Sequence, residues 1–106
     1  MAKKSVLNSI DLFRKGLMAK GINVSRIILY GSYAKGVETD SSDIDVVVIS
    51  SDFSKKDYWE RIDILSDVIY DVFEPIEAVA MTPEEWEKGD SFIVDYAKNG
   101  EVIYKS

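Results

Sequence analysis

Between two β-rich runs, Arg26 to Tyr30 (RIILY) and Val46 to Ile49 (VVVI), the chain places Gly31-Ser32, then ten residues, then Asp43-Ile44-Asp45. This arrangement constrains the fold more than any other feature. A glycine turn ends one strand, and an acidic pair opens the next. A polar connector, Val37 to Ser42, with Gly36 just ahead of it, joins the two. Backbone that turns at a glycine can come close to a phosphate. Two carboxylates at i and i+2 on a strand point to the same side and can share a divalent cation.

The apolar period changes several times along the chain, which predicts alternating helices and strands. Val6, Ile10, Phe13 and Leu17 recur at helical spacing, so Lys3 to Lys20 reads as an amphipathic helix stopped at Gly21. Ser32 to Lys35 reads as a helical turn broken at Gly36. Asp43 to Ile49 is the second strand, and its nearly continuous β-branched run predicts a position inside the sheet. Ser50 to Ser54 reads as a turn. Tyr58, Ile62, Leu65 and Ile69 mark a second long helix, Lys55 to Tyr70, and Ile76 to Ala80 after Pro75 is a third strand. Thr82-Pro83-Glu84-Glu85 is a helix start: a capping hydroxyl, proline at the first helical position and acids in the first turn. A helix over Ser91 to Lys98 ends at Asn99-Gly100, and Val102 to Tyr104 forms a small closing strand. The expected class is α/β, a small sheet with helices packed on it. At 106 residues the chain is read as one domain, 1–106.

Composition removes several kinds of chemistry. The sequence has no cysteine and no histidine, which excludes a disulfide framework, a Cys/His zinc site, a thiol nucleophile and a Ser-His-Asp triad. Metal ligation and proton transfer fall to carboxylates, whose hard oxygens suit Mg²⁺ or Mn²⁺. A net charge of −6 disfavours general nucleic-acid binding, which relies on cations that displace counterions from phosphates. Lys3, Lys4, Arg14, Lys15 and Lys20 gather near the N-terminus, but helical spacing spreads them over a solvated face. No apolar stretch is long enough to span a bilayer and no signal peptide is visible, so no membrane partner and a cytoplasmic location are expected.

The α-carbons of Asp43 and Asp45 on one strand should stand roughly 6.5 Å apart. Two unscreened charges about 6 Å apart repel by about 3 kcal/mol at an effective dielectric near 20. A divalent cation between them reverses that sign, and exposure to solvent at the strand's start removes it by screening. An isolated D-x-D fits the second account better, since the motif occurs often by chance. Gly-Ser by itself is a turn with serine capping the next helix, or a place where free helix N–H groups meet a phosphate.

The combination is more specific. GSYAKGVETDSSDIDVVV resembles the signature of the DNA polymerase beta-type nucleotidyltransferase superfamily, through Gly31, Ser32, Gly36, Ser42, Asp43, Ile44 and Asp45. It is most similar to the minimal nucleotidyltransferases, including those that act as antitoxins to HEPN-domain ribonucleases. The resemblance implies a small mixed sheet of three to four strands flanked by helices. It implies a third carboxylate on a later strand, for which Glu77 is the candidate, since an acid inside the apolar run Ile76 to Ala80 calls for an explanation. The alternative is an edge strand with Glu77 facing water. Asp71 and Glu74 are rivals within the connector before Pro75. The family more often has aspartate at this position. Lys35 stands where the family often has arginine, and either touches phosphate or faces solvent.

The implied site has Asp43, Asp45 and Glu77 as catalytic residues and ligands of Mg²⁺ or Mn²⁺, with Gly31 and Ser32 binding the phosphates of ATP. The implied reaction transfers AMP from ATP to a hydroxyl, a tyrosine, of a HEPN-type toxin, with this chain as the antitoxin. A chain this short lacks the additional surface that polynucleotide-tailing enzymes use. The contrasting reading is a catalytically idle module that neutralises a partner by contact, using Trp59, Trp86 and the tyrosines. The sequence leaves both a monomer and a homo-oligomer open.

Overall fold

The structure, a computed structural model, describes residues 3–39 and 41–106. Asp40, within the predicted polar connector, lies outside the described residues. The elements run α1 (Lys4–Ala19), β1 (Arg26–Tyr30), α2 (Ser32–Lys35), β2 (Ile44–Ile49), α3 (Tyr58–Val72), β3 (Ile76–Met81), α4 (Pro83–Lys88), α5 (Phe92–Ala97) and β4 (Glu101–Lys105). The strands form one sheet in the order β3-β2-β1-β4. β1 is antiparallel to β2 and to β4, and β2 is parallel to β3. The parallel pair needs a crossover, which α3 supplies.

The β-branched run of β2 is buried from Val46 to Ile49 because both of its neighbours are strands and both faces are covered. Alternation divides its side chains. Ile44, Val46 and Val48 join Ile27 and Leu29 against α1 and α3. Val47 and Ile49 join Ile28 against Val94 and Ala97 of α5. On α1 the predicted stripe Val6, Ile10, Phe13 and Leu17 is buried throughout. Full burial of each such side chain contributes about 1.5–3 kcal/mol. Gly16 lets α1 approach α3 closely, since a Cβ there would stand 2.5 Å from Val68 Cγ1.

Several boundaries differ from the sequence reading, each for a local reason. The stretch read as a plain turn after β2 is a 3-10 turn, Ser51–Lys55, anchored by buried Phe53 and by Ser50 Oγ accepting from the Asp52 amide. α3 starts at Tyr58 instead of Lys55 because Asp57 and Glu60 form a capping box. Its buried stripe is Leu65 and Val68, while Tyr58 is 67% exposed. Arg61 ties this corner together. It donates from Nη2 to the Phe53 carbonyl at 2.8 Å, from Nε to the Lys56 carbonyl at 3.1 Å and from Nη1 to Glu85 at 2.7 Å. The helix start at Thr82 is as predicted, with Thr82 and Glu85 capping each other and Pro83 in the first turn. No helix among the described residues is long and apolar enough to cross a membrane.

Candidate active site

β1 delivers Tyr30 to the rim of the sheet, and the chain turns at Gly31 into α2. Gly31 has φ 74° and ψ −152°, a backbone region that is essentially glycine's own. A Cβ at this position would run into the Asp45 carboxylate. Glycine is required here twice, once for the turn and once for the space in front of Asp45. Gly31 itself is the N-cap and Ser32 the first helical residue, so serine does not cap this helix as the simple turn reading expected. The first bond of α2 runs from the Lys35 amide to the Gly31 carbonyl at 3.2 Å, so the preceding amides leave the helix end unpaired within it. Ser32 is half-buried and Lys35 is exposed.

The antiparallel register sets Tyr30 opposite Asp45, and the parallel register sets Asp45 opposite Glu77. Residues paired across strands share a face, so one row runs Tyr30, Asp45, Glu77 over three strands. It lies on the α5 side of the sheet, where Tyr30 and Val79 pack against the cluster around Val94. β3 is the sheet's edge and Glu77 is exposed, the placement expected of an acid with no special role. The register nevertheless sets Glu77 beside Asp45. Burial raises the Asp45 carboxyl above its ordinary 3.8, and the charges of Glu77 and Asp43 raise it further. Side-chain hydrogen bonding with Glu77 acts in the same direction, as the smallest of these causes. Burial also raises the Tyr30 phenol, followed by the charges of Asp45 and Glu77.

Asp43 just precedes β2 and is exposed. Its charge reaches Asp45, but among the described residues no three Asp, Glu, His or Cys side chains gather tightly enough to hold a metal ion as they stand. The pair Asp45–Glu77 is assembled and Asp43 stands at its margin. Among the described residues no lysine or arginine forms an ion pair with any of the three. Uncompensated negative charge, oxygen-only donors and a space kept clear by glycine fit a divalent cation of the Mg²⁺ type. The rival acids are elsewhere. Asp71 lies in the last turn of α3 and Glu74 in the exposed connector after it. Sequence reasoning missed Tyr30, because its place in the row depends on strand register, which no local motif encodes.

A glycine turn in front of paired acids is a layout compatible with nucleotidyl transfer. The pattern of the nucleotidyltransferase domain matches residues 10–102. The chain belongs to the nucleotidyltransferase domain family. It is similar to MJ1305 of Methanocaldococcus jannaschii, named as a candidate protein adenylyltransferase, with 34% identity over 70 residues. That alignment covers 65% of this chain and 47% of MJ1305, so the chain spans about half the length of that relative. Its fold is similar to that of a candidate nucleotidyltransferase from Sulfolobus solfataricus (TM-score 0.61, 19% identity, 97% of this chain and 89% of the other). It is also similar to a chain in the complex of a tri-AMPylated Shewanella oneidensis HEPN toxin with its MNT antitoxin (TM-score 0.57, 17% identity, 97% and 72%). A toxin-antitoxin structure with AMP-PNP gives the same fold (TM-score 0.61, 20% identity, 94% and 73%).

Proposed function

We propose that this chain moves AMP from ATP to a hydroxyl, a tyrosine, of a HEPN-type partner protein and so acts as its antitoxin. One observation carries the reading: Asp45 and Glu77 stand side by side, without a cationic partner among the described residues, in front of a turn that only glycine can make. The similarity to a protein named as an adenylyltransferase supports transfer to protein.

In the reaction the acceptor oxygen bonds to the α-phosphorus of ATP. The bond from that phosphorus to the bridging oxygen breaks, and pyrophosphate leaves with the electron pair. Mg²⁺ or Mn²⁺, held by Asp43, Asp45 and Glu77, would neutralise the triphosphate and lower the pKa of the acceptor hydroxyl. The Gly31-Ser32 turn orients the phosphates through backbone amides and the serine hydroxyl. Glu77, at the open edge of the row, takes the acceptor's proton. Most of the rate enhancement comes from positioning and charge neutralisation. An AMP group adds negative charge to the modified tyrosine, which repels an RNA substrate from the toxin.

The test incubates the chain with α-labelled ATP, Mg²⁺ and a HEPN-type protein from the same genome. Label on that protein, lost with Asp45→Asn, is the expected result. Absence of label, with full toxin neutralisation by an Asp43→Ala, Asp45→Ala double variant, overturns the transferase and leaves the idle binding module.

A further inference from the structure

The strand that carries Glu77 has a second property. β3 is the edge of the sheet, paired to β2 alone, so the backbone groups on its outer side lack a strand partner. Edge strands are commonly blunted by lysine, proline within the strand or a bulge. β3 has none of these: its sequence is IEAVAM, its one charged side chain is Glu77, and its pairing with β2 is regular from Ile76 to Met81. The opposite edge, β4, ends in Lys105 and has a register shift against β1.

A groove of about 670 Å³ runs along the open edge, within the range of roughly 300–1,000 Å³ that holds bound ligands. Ala78, Val79 and Ala80 form its floor, Tyr58 and Ile62 of α3 one wall, and Ile93 of α5 the other; the Arg61–Glu85 ion pair also lines it, and Glu77 adjoins the floor without being part of it. Ala78 and Ala80 lie on the α3 face and Val79 on the α5 face, so the edge is recessed between walls on both sides. A single extended segment is the occupant that an open sheet edge takes. The small side chains of Ala78 and Ala80 leave volume for apolar residues on the α3 side.

We propose that the groove receives the acceptor segment of the partner as an added strand along β3, with the hydroxyl-bearing residue opposite Glu77. This deepens the transferase reading and rests on it. The register supplies the reason. A residue paired with Glu77 shares its face, and with it the face of Asp45, so its side chain projects into the carboxylate row. The residues before and after it point to the α3 wall. Backbone pairing provides affinity, and alternate side chains provide selectivity. The acceptor is therefore a tyrosine in an extended, β-branched or apolar setting, not one on a helix.

The probe is an acetylated, amidated heptapeptide, Lys-Thr-Val-Tyr-Val-Thr-Lys, and the same peptide N-methylated at the two valines or at the tyrosine and threonines. Each is added to the whole chain with α-labelled ATP and Mg²⁺, and hydrogen exchange of the β3 amides is followed in parallel. The expected result is label on the parent peptide and slowed exchange at β3. One of the two methylation patterns should lose at least tenfold in both. Tyr58→Asp should cut labelling at least tenfold with unchanged ATP affinity. Equal labelling of all three peptides, or no change in β3 exchange with the parent peptide, overturns strand addition. Slowed β3 exchange without label on any acceptor, the HEPN-type protein included, supports the groove and overturns the transferase reading instead.

Discussion

Asp45 and Glu77 face each other across the only parallel pair in the described sheet, one on an interior strand and one on its edge. The acids therefore meet by register and not by sequence proximity.

Asp45→Asn should lower AMP transfer by at least about 100-fold, the scale on which a single charge-stabilising group acts. It should also change stability in the opposite direction. The folded carboxyl titrates above its ordinary value of 3.8, so the folded state holds a proton that the unfolded state has released. The stabilisation is fully present below the unfolded pKa and is lost as pH rises through the folded pKa. The variant lacks this titration. Urea unfolding should show it gaining on the wild type as pH climbs from about 3 to about 7; a gap that narrows would contradict the sign.

Mg²⁺ or Mn²⁺ should raise the unfolding midpoint of the wild type, by an amount equivalent to about 2.7 kcal/mol at a concentration 100 times the dissociation constant. The gain should shrink as pH falls, because a proton on Asp45 competes with the cation. Calorimetry in two buffers of different ionisation enthalpy would detect the displaced proton. Glu77→Gln should reduce the midpoint shift, while a change at Asp71 should leave it intact.

Gly31→Ala places a methyl group where the Asp45 carboxylate lies and forces alanine into a glycine-only conformation. The backbone strain alone costs about 1–3 kcal/mol. The variant should unfold at lower denaturant and bind ATP more weakly, and the second effect should persist at temperatures where it remains folded. Gly36→Ala, with open space around it, is the control: its φ of 72° carries backbone strain without a collision.

Gly16→Ala tests packing away from the site. Alanine is the better helix former by about 1 kcal/mol, yet its Cβ would stand 2.5 Å from Val68 Cγ1 across the α1–α3 contact. Val68 is buried and stiff at χ1, so it yields little. Overpacking of about 1–3 kcal/mol should outweigh the propensity gain. A thermal midpoint above that of the wild type would show the helices separating freely.

Features fixed by local chemistry were legible in the sequence. The β-branched run of β2 announced an interior strand, the spacing from Val6 to Leu17 gave α1, and Thr82-Pro83-Glu84-Glu85 gave the start of α4. The Asp57–Glu60 capping box was equally local and went unread, which moved the start of α3. Glu77 was legible only as an acid out of place in an apolar strand. What it faces depends on the offset between β2 and β3, set by the length of a crossover and invisible to any short window. The same is true of Tyr30. The glycine at residue 31 was legible as a turn, but its collision with Asp45 belongs to tertiary geometry.

The two acids differ in how firmly they are held. Asp45 sits on a strand bonded on both sides, whereas Glu77 sits on one attached by a single ladder. Outer strands detach in small, sub-global openings whose free energy is well below that of complete unfolding. The spacing of the pair therefore fluctuates with the fraying of one strand, and warming should disarm the chemistry several degrees before the molecule melts.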